Sequence, residues 1–144
     1  MYKITKILIG THNNGKFSEI SDLLPKKIEK ISPKTLNIES PEESGKTFLE
    51  NSELKADFFC KKSNLVTLSD DSGLEVDCLK GEPGIYSSRW AEKFGGFDNA
   101  MSEIVNRVKK LNKNTNARFI SSLTICWANG KKISEIRKNR RKHI

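Results

Sequence analysis

Cysteine is scarce in this chain of 144 residues: Cys60, Cys78 and Cys126 are an odd number, and no two of them stand at CxxC spacing. That excludes a disulfide framework and a cysteine-based zinc site. Each thiol sits in an apolar or strand-like context, which predicts reduced core residues of a cytoplasmic protein. Long apolar runs are lacking as well. No stretch approaches the roughly 20 residues of a membrane span. The start of the chain has neither the apolar core nor the cleavage site of a secretory leader, so the sequence predicts a soluble protein with no membrane partner. Acidic residues are short at one end. Residues 131–144 hold seven of the 26 Lys and Arg (Lys131, Lys132, Arg137, Lys138, Arg140, Arg141, Lys142) and only one of the 18 Asp and Glu, Glu135. The rest of the chain, with 19 basic and 17 acidic residues, carries +2 of the net +8. The charge therefore predicts non-specific polyanion contact through the basic segment and no nucleic-acid surface on the domain.

A chain of this length fits one domain with its own core. Lys3 to Gly10 carries Ile4, Ile7, Leu8 and Ile9 and stops at glycine, which predicts a buried first strand. Thr11-His12-Asn13-Asn14-Gly15-Lys16 follows, then Phe17, Ile20 and Leu24 at the spacing of one helix face, up to Pro25. Strand, small polar loop and helix is the layout of an anion site. Amide groups at a helix N-terminus are unpaired and partly positive, Gly15 allows close approach and Lys16 adds charge. An ordinary strand-to-helix turn with a surface lysine has the same pattern. Gly10 to Lys16 also matches GxxxxGK, but Phe17 stands where a P-loop needs the Ser or Thr that holds Mg²⁺.

Ile28 to Ser32 predicts a second strand ended by Pro33, and Lys34 to Lys46 a polar loop bearing Glu39, Glu42 and Glu43. Such a loop either supplies a metal ligand or is merely solvated. Thr47 and Glu50 form a capping box, with Glu50 reaching back to the Thr47 amide, for a helix that runs to about Lys62 and buries Leu54, Phe58 and Phe59. Asn51 and Lys55 share a face with Phe48 and Phe59, so Lys55 either snorkels or contacts phosphate. Leu65 to Leu68 predicts a buried strand that delivers Ser69-Asp70-Asp71-Ser72-Gly73 at its end. Side chains alternate along a strand, so Asp70 and Asp71 point differently, one free for a ligand or metal and the other for fixing backbone. A plain polar turn is the competing reading.

Leu74, Val76 and Cys78 alternate as a short strand, Gly81 to Gly84 is a turn, and Ile85 to Trp90 is an aromatic, polar loop. Asp98 caps a helix whose apolar stripe is Met101, Ile104, Val105, Val108 and Leu111. In Phe119 to Trp127 one face holds Phe119, Ser121, Leu123, Ile125 and Trp127. Asn129-Gly130 then signals a hairpin, with a short partner strand over Lys131 to Ile136 and a charged end after it.

Four segments taken together resemble the inosine triphosphate pyrophosphatase family. They are Thr11 to Lys16, Thr47 to Ala56, Ser69 to Asp77, and Pro83-Gly84-Ile85-Tyr86-Ser87-Ser88-Arg89-Trp90-Ala91, in that order and at compatible spacing. The resemblance implies an α/β fold, ITPase-like, with a mixed, twisted sheet flanked by helices and an incomplete second lobe. It implies hydrolysis of non-standard purine nucleoside triphosphates (ITP, dITP, XTP) to the monophosphate and pyrophosphate, with Mg²⁺ as cofactor and a homodimeric, cytoplasmic protein. Thr11, Asn13 and Lys16, with His12, Asn14 and Gly15 between them, would hold the triphosphate. Asp71 would be the general base, Ser72 would touch substrate, and Glu42 would join Asp71 on the metal. The resemblance covers residues 1–130, a partial pyrophosphatase domain followed by a divergent basic tail over 131–144. The family's later Phe-Gly-Tyr-Asp and Ser-His-Arg motifs are absent from the sequence, and His143 in the basic segment does not replace their histidine. With that tail off the family's path, Phe119 to Trp127 is expected as a poorly covered edge. The alternative function is a non-catalytic remnant that binds nucleotides or polyanions.

Overall fold

In the computed structural model, which describes residues 3–111 and 114–141 apart from the side chains of 140 and 141, five strands form one sheet in the order β2-β1-β3-β4-β5. In chain order the elements are β1 (Lys6–Ile9), α1 (Asn14–Leu23), β2 (Glu29–Ile31), α2 (Phe48–Ser63), β3 (Thr67–Val76), α3 (Ser87–Lys93), α4 (Phe97–Leu111), β4 (Ala117–Cys126) and β5 (Lys132–Arg141). The sheet is mixed and flanked by helices, as expected. Lys142 and His143 lie outside the described residues. No helix among the described residues is long and apolar enough to cross a membrane. The chain divides into two units, one of residues 1–70 and 122–135, the other of 71–121 and 136–144.

In the first unit β1 lies parallel to both neighbours, with Leu8 opposite Ile31 of β2 and opposite Thr67 of β3. Its alternation sorts the helices. Ile7 and Ile9 face Phe17 and Ile20 of α1 and Leu24 just after it, while Leu8 faces Phe59 of α2 and Ile38. Burying a side chain such as Leu8 or Phe59 contributes about 1.5–3 kcal/mol, and both are essentially inaccessible. The β1 connection leaves through α1 toward β2, and α2 returns the chain to β3 on the other side of β1. The carboxyl end of β1, opposite Leu68 of β3, thus stands at a topological switch point, where α/β sheets bind ligands.

Helix α2 begins with Thr47 Oγ1 accepting the Glu50 amide at 3.0 Å. Glu50 reaches back to the Lys46 amide at 2.7 Å, one residue before the Thr47 amide expected for it. The buried face of α2 carries Phe48, Ser52, Ala56, Phe59 and Cys60, whereas Leu54 and Phe58 are only half-buried. The small residues of that face meet β4. Ser52 Oγ lies 2.8 Å from both Ser122 Oγ and Thr124 Oγ1, and Thr124 Oγ1 lies 2.7 Å from Ser134 Oγ of β5. The buried face of β4 is therefore Ile120, Ser122, Thr124 and Cys126. Phe119 and Leu123, on the face that also holds Ser121, Ile125 and Trp127, are 47% and 37% exposed. Periodicity identifies the residues that share a face, but the hydroxyls go inward because α2 offers them a hydroxyl partner.

Strand β5 runs through Arg141, well beyond the Ile136 that the pattern suggests. It lies next to β4, so β4 is not an edge of the sheet. Lys132 ties β5 to α2, 2.6 Å from Asp57 and 3.8 Å from Glu53, and the Asp57 hydrogen bond raises its pKa.

In the second unit Val76, Ile104, Val108 and Ala117 form a core against Leu74, Leu79 and Trp90. The α4 stripe is Ala100, Ile104 and Val108; Met101 and Leu111 at its ends are exposed. That helix starts at Phe97, which puts Asp98 inside the first turn, where its charge meets the helix dipole without capping it. Residues Asp77–Leu79 and Gly84–Tyr86 are 3₁₀ turns, and α3 takes up most of the expected aromatic loop. Arg118 of β4 grips β3 and the turn after it through Glu75 at 3.3 Å and Asp77 at 2.7 Å, contacts that raise the guanidinium pKa further.

Candidate active site

Two close contacts shape the exit of β1. Gly10 is packed so tightly that a Cβ there would stand 2.2 Å from Ser69 Oγ and 2.7 Å from the Phe59 ring. Ser69 Oγ donates to the Gly10 carbonyl at 3.1 Å, locking the loop onto β3. The loop then builds a helix start. Asn13 is the N-cap of α1, its Oδ1 accepting the Lys16 amide at 3.0 Å, and Thr11 Oγ1 accepts the Asn13 amide at 3.1 Å. Gly15 sits inside this turn. The amides of Asn14 and Gly15 have no hydrogen-bond acceptor among the described residues. They are the open donors that an anion meets at a helix N-terminus.

His12 turns away from this opening. Its Nε2 lies 2.9 Å from the Ile38 carbonyl and its ring rests 6.0 Å from that of Phe59, so it braces the loop. On the other side of Gly15, Lys16 Nζ reaches Asp70 Oδ2 at 3.1 Å. Asp70 is 8% exposed, and its Oδ1 has no hydrogen-bond partner among the described residues. The two carboxylates do not arrive at a strand end or in a turn. Strand β3 continues unbroken through Ser69, Asp70, Asp71, Ser72 and Gly73. Alternation gives Asp70 the face that carries Leu68 and α1, and gives Asp71 the opposite face. Asp71 is 5% exposed and, with Ser72, belongs to the second unit.

The acidic loop is latched to α2. The Gly45 amide donates to Asn51 Oδ1 at 2.8 Å, and a Cβ on Gly45 would come within 2.5 Å of that oxygen. Lys55, 8% exposed, pairs with Glu43 at 2.8 Å, so Glu43 is anchored and Glu42 is exposed. The sequence placed Asn51 and Lys55 on one helix face, and the latch shows why both are buried: Asn51 and Lys55 hold the loop. No group of three or more His, Cys, Asp or Glu that could hold a metal occurs among the described residues. Mg²⁺ is usually bound by one or two carboxylates plus water and substrate oxygens. The buried, unsatisfied Asp70 Oδ1 fits that demand. A cavity of about 750 Å³ lies at the other ends of β1 and β3, among Ile4, Leu65, Val66 and Trp127, and plays no part in this arrangement.

Residues 7–139 match the family model for the Ham1 family. The chain belongs to the Ham1 family. Among the relatives of this Ham1 chain, a dITP/XTP pyrophosphatase of Zymomonas mobilis is 39% identical over 128 residues, covering 87% of this chain and 61% of that protein. One from Bartonella quintana is 43% identical over 131 residues, covering 85% and 61%. The chain thus spans about 61% of the length of the curated relatives it matches. A solved HAM1 protein from Coxiella burnetii superimposes with a TM-score of 0.82 at 24% identity, over 96% of this chain and 73% of that one, which shows the Ham1 fold. A nucleoside-triphosphatase, dITP/XTP pyrophosphatase, from Mycobacterium abscessus gives a TM-score of 0.79 at 26% identity, over 95% of this chain and 73% of that one.

Proposed function

We propose that this Ham1 chain binds non-standard purine nucleoside triphosphates (ITP, dITP, XTP) and hydrolyses them, with Mg²⁺, to the monophosphate and pyrophosphate. The observation that carries the reading is the anion seat at the switch point: two open amides, Lys16 and the Asp70 that holds it, one residue before Asp71. Relatives that match most of the chain are named dITP/XTP pyrophosphatases, which supports the same reading.

In this reading the α1 amides, Thr11, Asn13 and Lys16 hold the phosphates, with His12 bracing the loop and Asn14 and Gly15 supplying backbone donors. Asp71 takes the proton of the water that attacks the α-phosphorus, and Ser72 touches the substrate. A carboxylate base for water and fixed donors at the phosphate oxygens are the means by which such a reaction is accelerated. Asp71 and Glu42 would hold Mg²⁺; when bound, the ion offsets phosphate charge. The resemblance of the four sequence segments to the inosine triphosphate pyrophosphatase family extends this proposal to a homodimer in the cytoplasm. The second reading is nucleotide binding without turnover.

The test is pyrophosphate release from ITP, XTP and GTP, with and without Mg²⁺, by the parent chain and by Asp71→Asn. Release by the parent that needs Mg²⁺, and falls at least ~10²-fold in the variant, is the expected outcome. Equal release by both would remove Asp71 from its role, and binding of ITP without release would select the second reading.

A further inference from the structure

We propose that Lys34 is an additional phosphate-binding residue of this site, engaging the phosphate chain of the nucleotide at the N-terminus of α1; the inference rests on the reading of that loop as a polyphosphate seat. Lys34 lies in the segment that the sequence presents as a solvated loop. Its position is nonetheless fixed. Pro33 is fully buried, Ser32 Oγ accepts the Lys34 amide at 3.2 Å, and the Thr35, Leu36, Asn37 and Ile38 amides all bond back to residues 32–34. Two contacts then join this compact turn to the loop after β1. The Ile38 carbonyl meets His12 at 2.9 Å, and Lys34 Nζ donates to Asn14 Oδ1 at 3.1 Å. Asn14 is the first residue of α1, with an open amide of its own.

Charge separates Lys34 from the two lysines that the sequence points to. Lys16 is paired with the buried Asp70, and Lys55 with Glu43. An anion approaching either meets a cation whose charge a carboxylate already offsets. Lys34 is exposed and is held by a neutral amide oxygen, with no carboxylate partner among the described residues. An ammonium group has three donors; one goes to Asn14 and two remain for phosphate oxygens. A phosphate can therefore engage Lys34 without breaking an ion pair. Two residues along the same helix start from Asn14, Lys16 is joined to Asp70 Oδ2, and the other oxygen of that buried carboxylate, Oδ1, is an unsatisfied acceptor for the counter-ion of a phosphate ligand.

The experiment is calorimetric titration of the full chain with inorganic tripolyphosphate, ITP and IMP, using the parent, Lys34→Gln, Lys34→Arg, Lys16→Gln and, as a control for lost charge, Lys30→Gln. Lys30 is half-buried and donates to the Pro25 carbonyl at the surface, so its loss removes one charge from the same strand-and-turn region. Far-UV circular dichroism confirms that each variant is folded. Lys34→Gln is expected to weaken tripolyphosphate and ITP about fivefold and IMP less, the scale of one exposed charge-assisted contact. Lys34→Arg should return to within about twofold of the parent and Lys30→Gln should match it. Parent-like binding by Lys34→Gln, with binding weakened in Lys16→Gln, overturns the role of Lys34 and leaves the polyphosphate reading standing. A parent that binds neither tripolyphosphate nor ITP overturns that reading and this inference together.

Discussion

Among single residues, Cys126 shows how far context moves a side chain from what its letter suggests. Burial, then the neighbouring Cys60, then Asp57, push its thiol up to about 12 from an ordinary 9.0. Below about pH 9 the thiol is protonated in both folded and unfolded chains. Between that value and about pH 12 the unfolded chain gives up a proton that the folded one keeps, so stability falls as pH rises across the window. Urea unfolding at pH 7, 9 and 10.5 should show the advantage of the parent over Cys126→Ala shrinking with pH. Iodoacetamide followed by peptide mass analysis should label the half-buried Cys78 before Cys126, because only thiolate reacts. A gap that stays constant would mean that the thiol is not the titrating group. At this scale the sequence was legible where identity alone decides. The turn from Thr11 to Lys16 could be read from spacing as the start of a helix. The pairing of Lys16 with Asp70 could not, since 54 residues separate them, nor could the place of Lys34, which depends on how the turn after β2 folds back onto α1.

Elements were legible as far as local pattern governs them. The β1–loop–α1 unit, the Thr47 cap and the hairpin at Asn129-Gly130 all have local causes and stand where those causes put them. Polar residues in Ser69 to Gly73 suggested an end or a turn, yet β3 runs through them beside β4, although β1 pairs with it only at Thr67 and Leu68. Tertiary pairing overrides local preference there. The inner face of β4 could not be assigned for a related reason: alternation has no sign until the opposing helix is known. Close approach at Gly10 gives this scale its prediction. Gly10→Ala forces Ser69 or Phe59 to shift and should cost about 1–3 kcal/mol, as overpacking of a tight core does. Thermal unfolding measures it, and a change under about 0.5 kcal/mol, the range of ordinary surface substitutions, would mean that the loop adjusts freely.

Across the whole molecule, the basic segment is where composition misleads most. Its charge density reads as a solvated tail, but β5 occupies it through Arg141 and stands last in the sheet order. Lysine and arginine on an outer strand discourage pairing with another sheet, and the three-residue β2 at the opposite edge achieves the same by brevity. Deleting residues 131–144 therefore does more than remove charge. It uncovers β4, whose Phe119 and Leu123 are already exposed, and removes the Lys132 bond to Asp57. The truncated chain should melt lower and sediment as aggregates, while Lys138→Gln should remain a single species by analytical ultracentrifugation. A truncated chain that sediments like the parent would show β5 to be dispensable. Polyanion binding through this segment is accordingly better probed by charge substitutions than by truncation.

The seam between α2 and β4 bears on how this sequence can drift. Ser52, Ala56 and Cys60 on the helix face Ser122, Thr124 and Cys126 on the strand, and every one of these side chains is small. The helix can lie close to the sheet only while they stay small. An exchange of Ser for Ala or Thr changes little volume, whereas a leucine at any of the six positions would lift α2 off β4. Because α2 also carries Asn51 and Lys55, the latch on the acidic loop would move with it. Variation along the seam is therefore expected to be confined to volume-neutral exchanges.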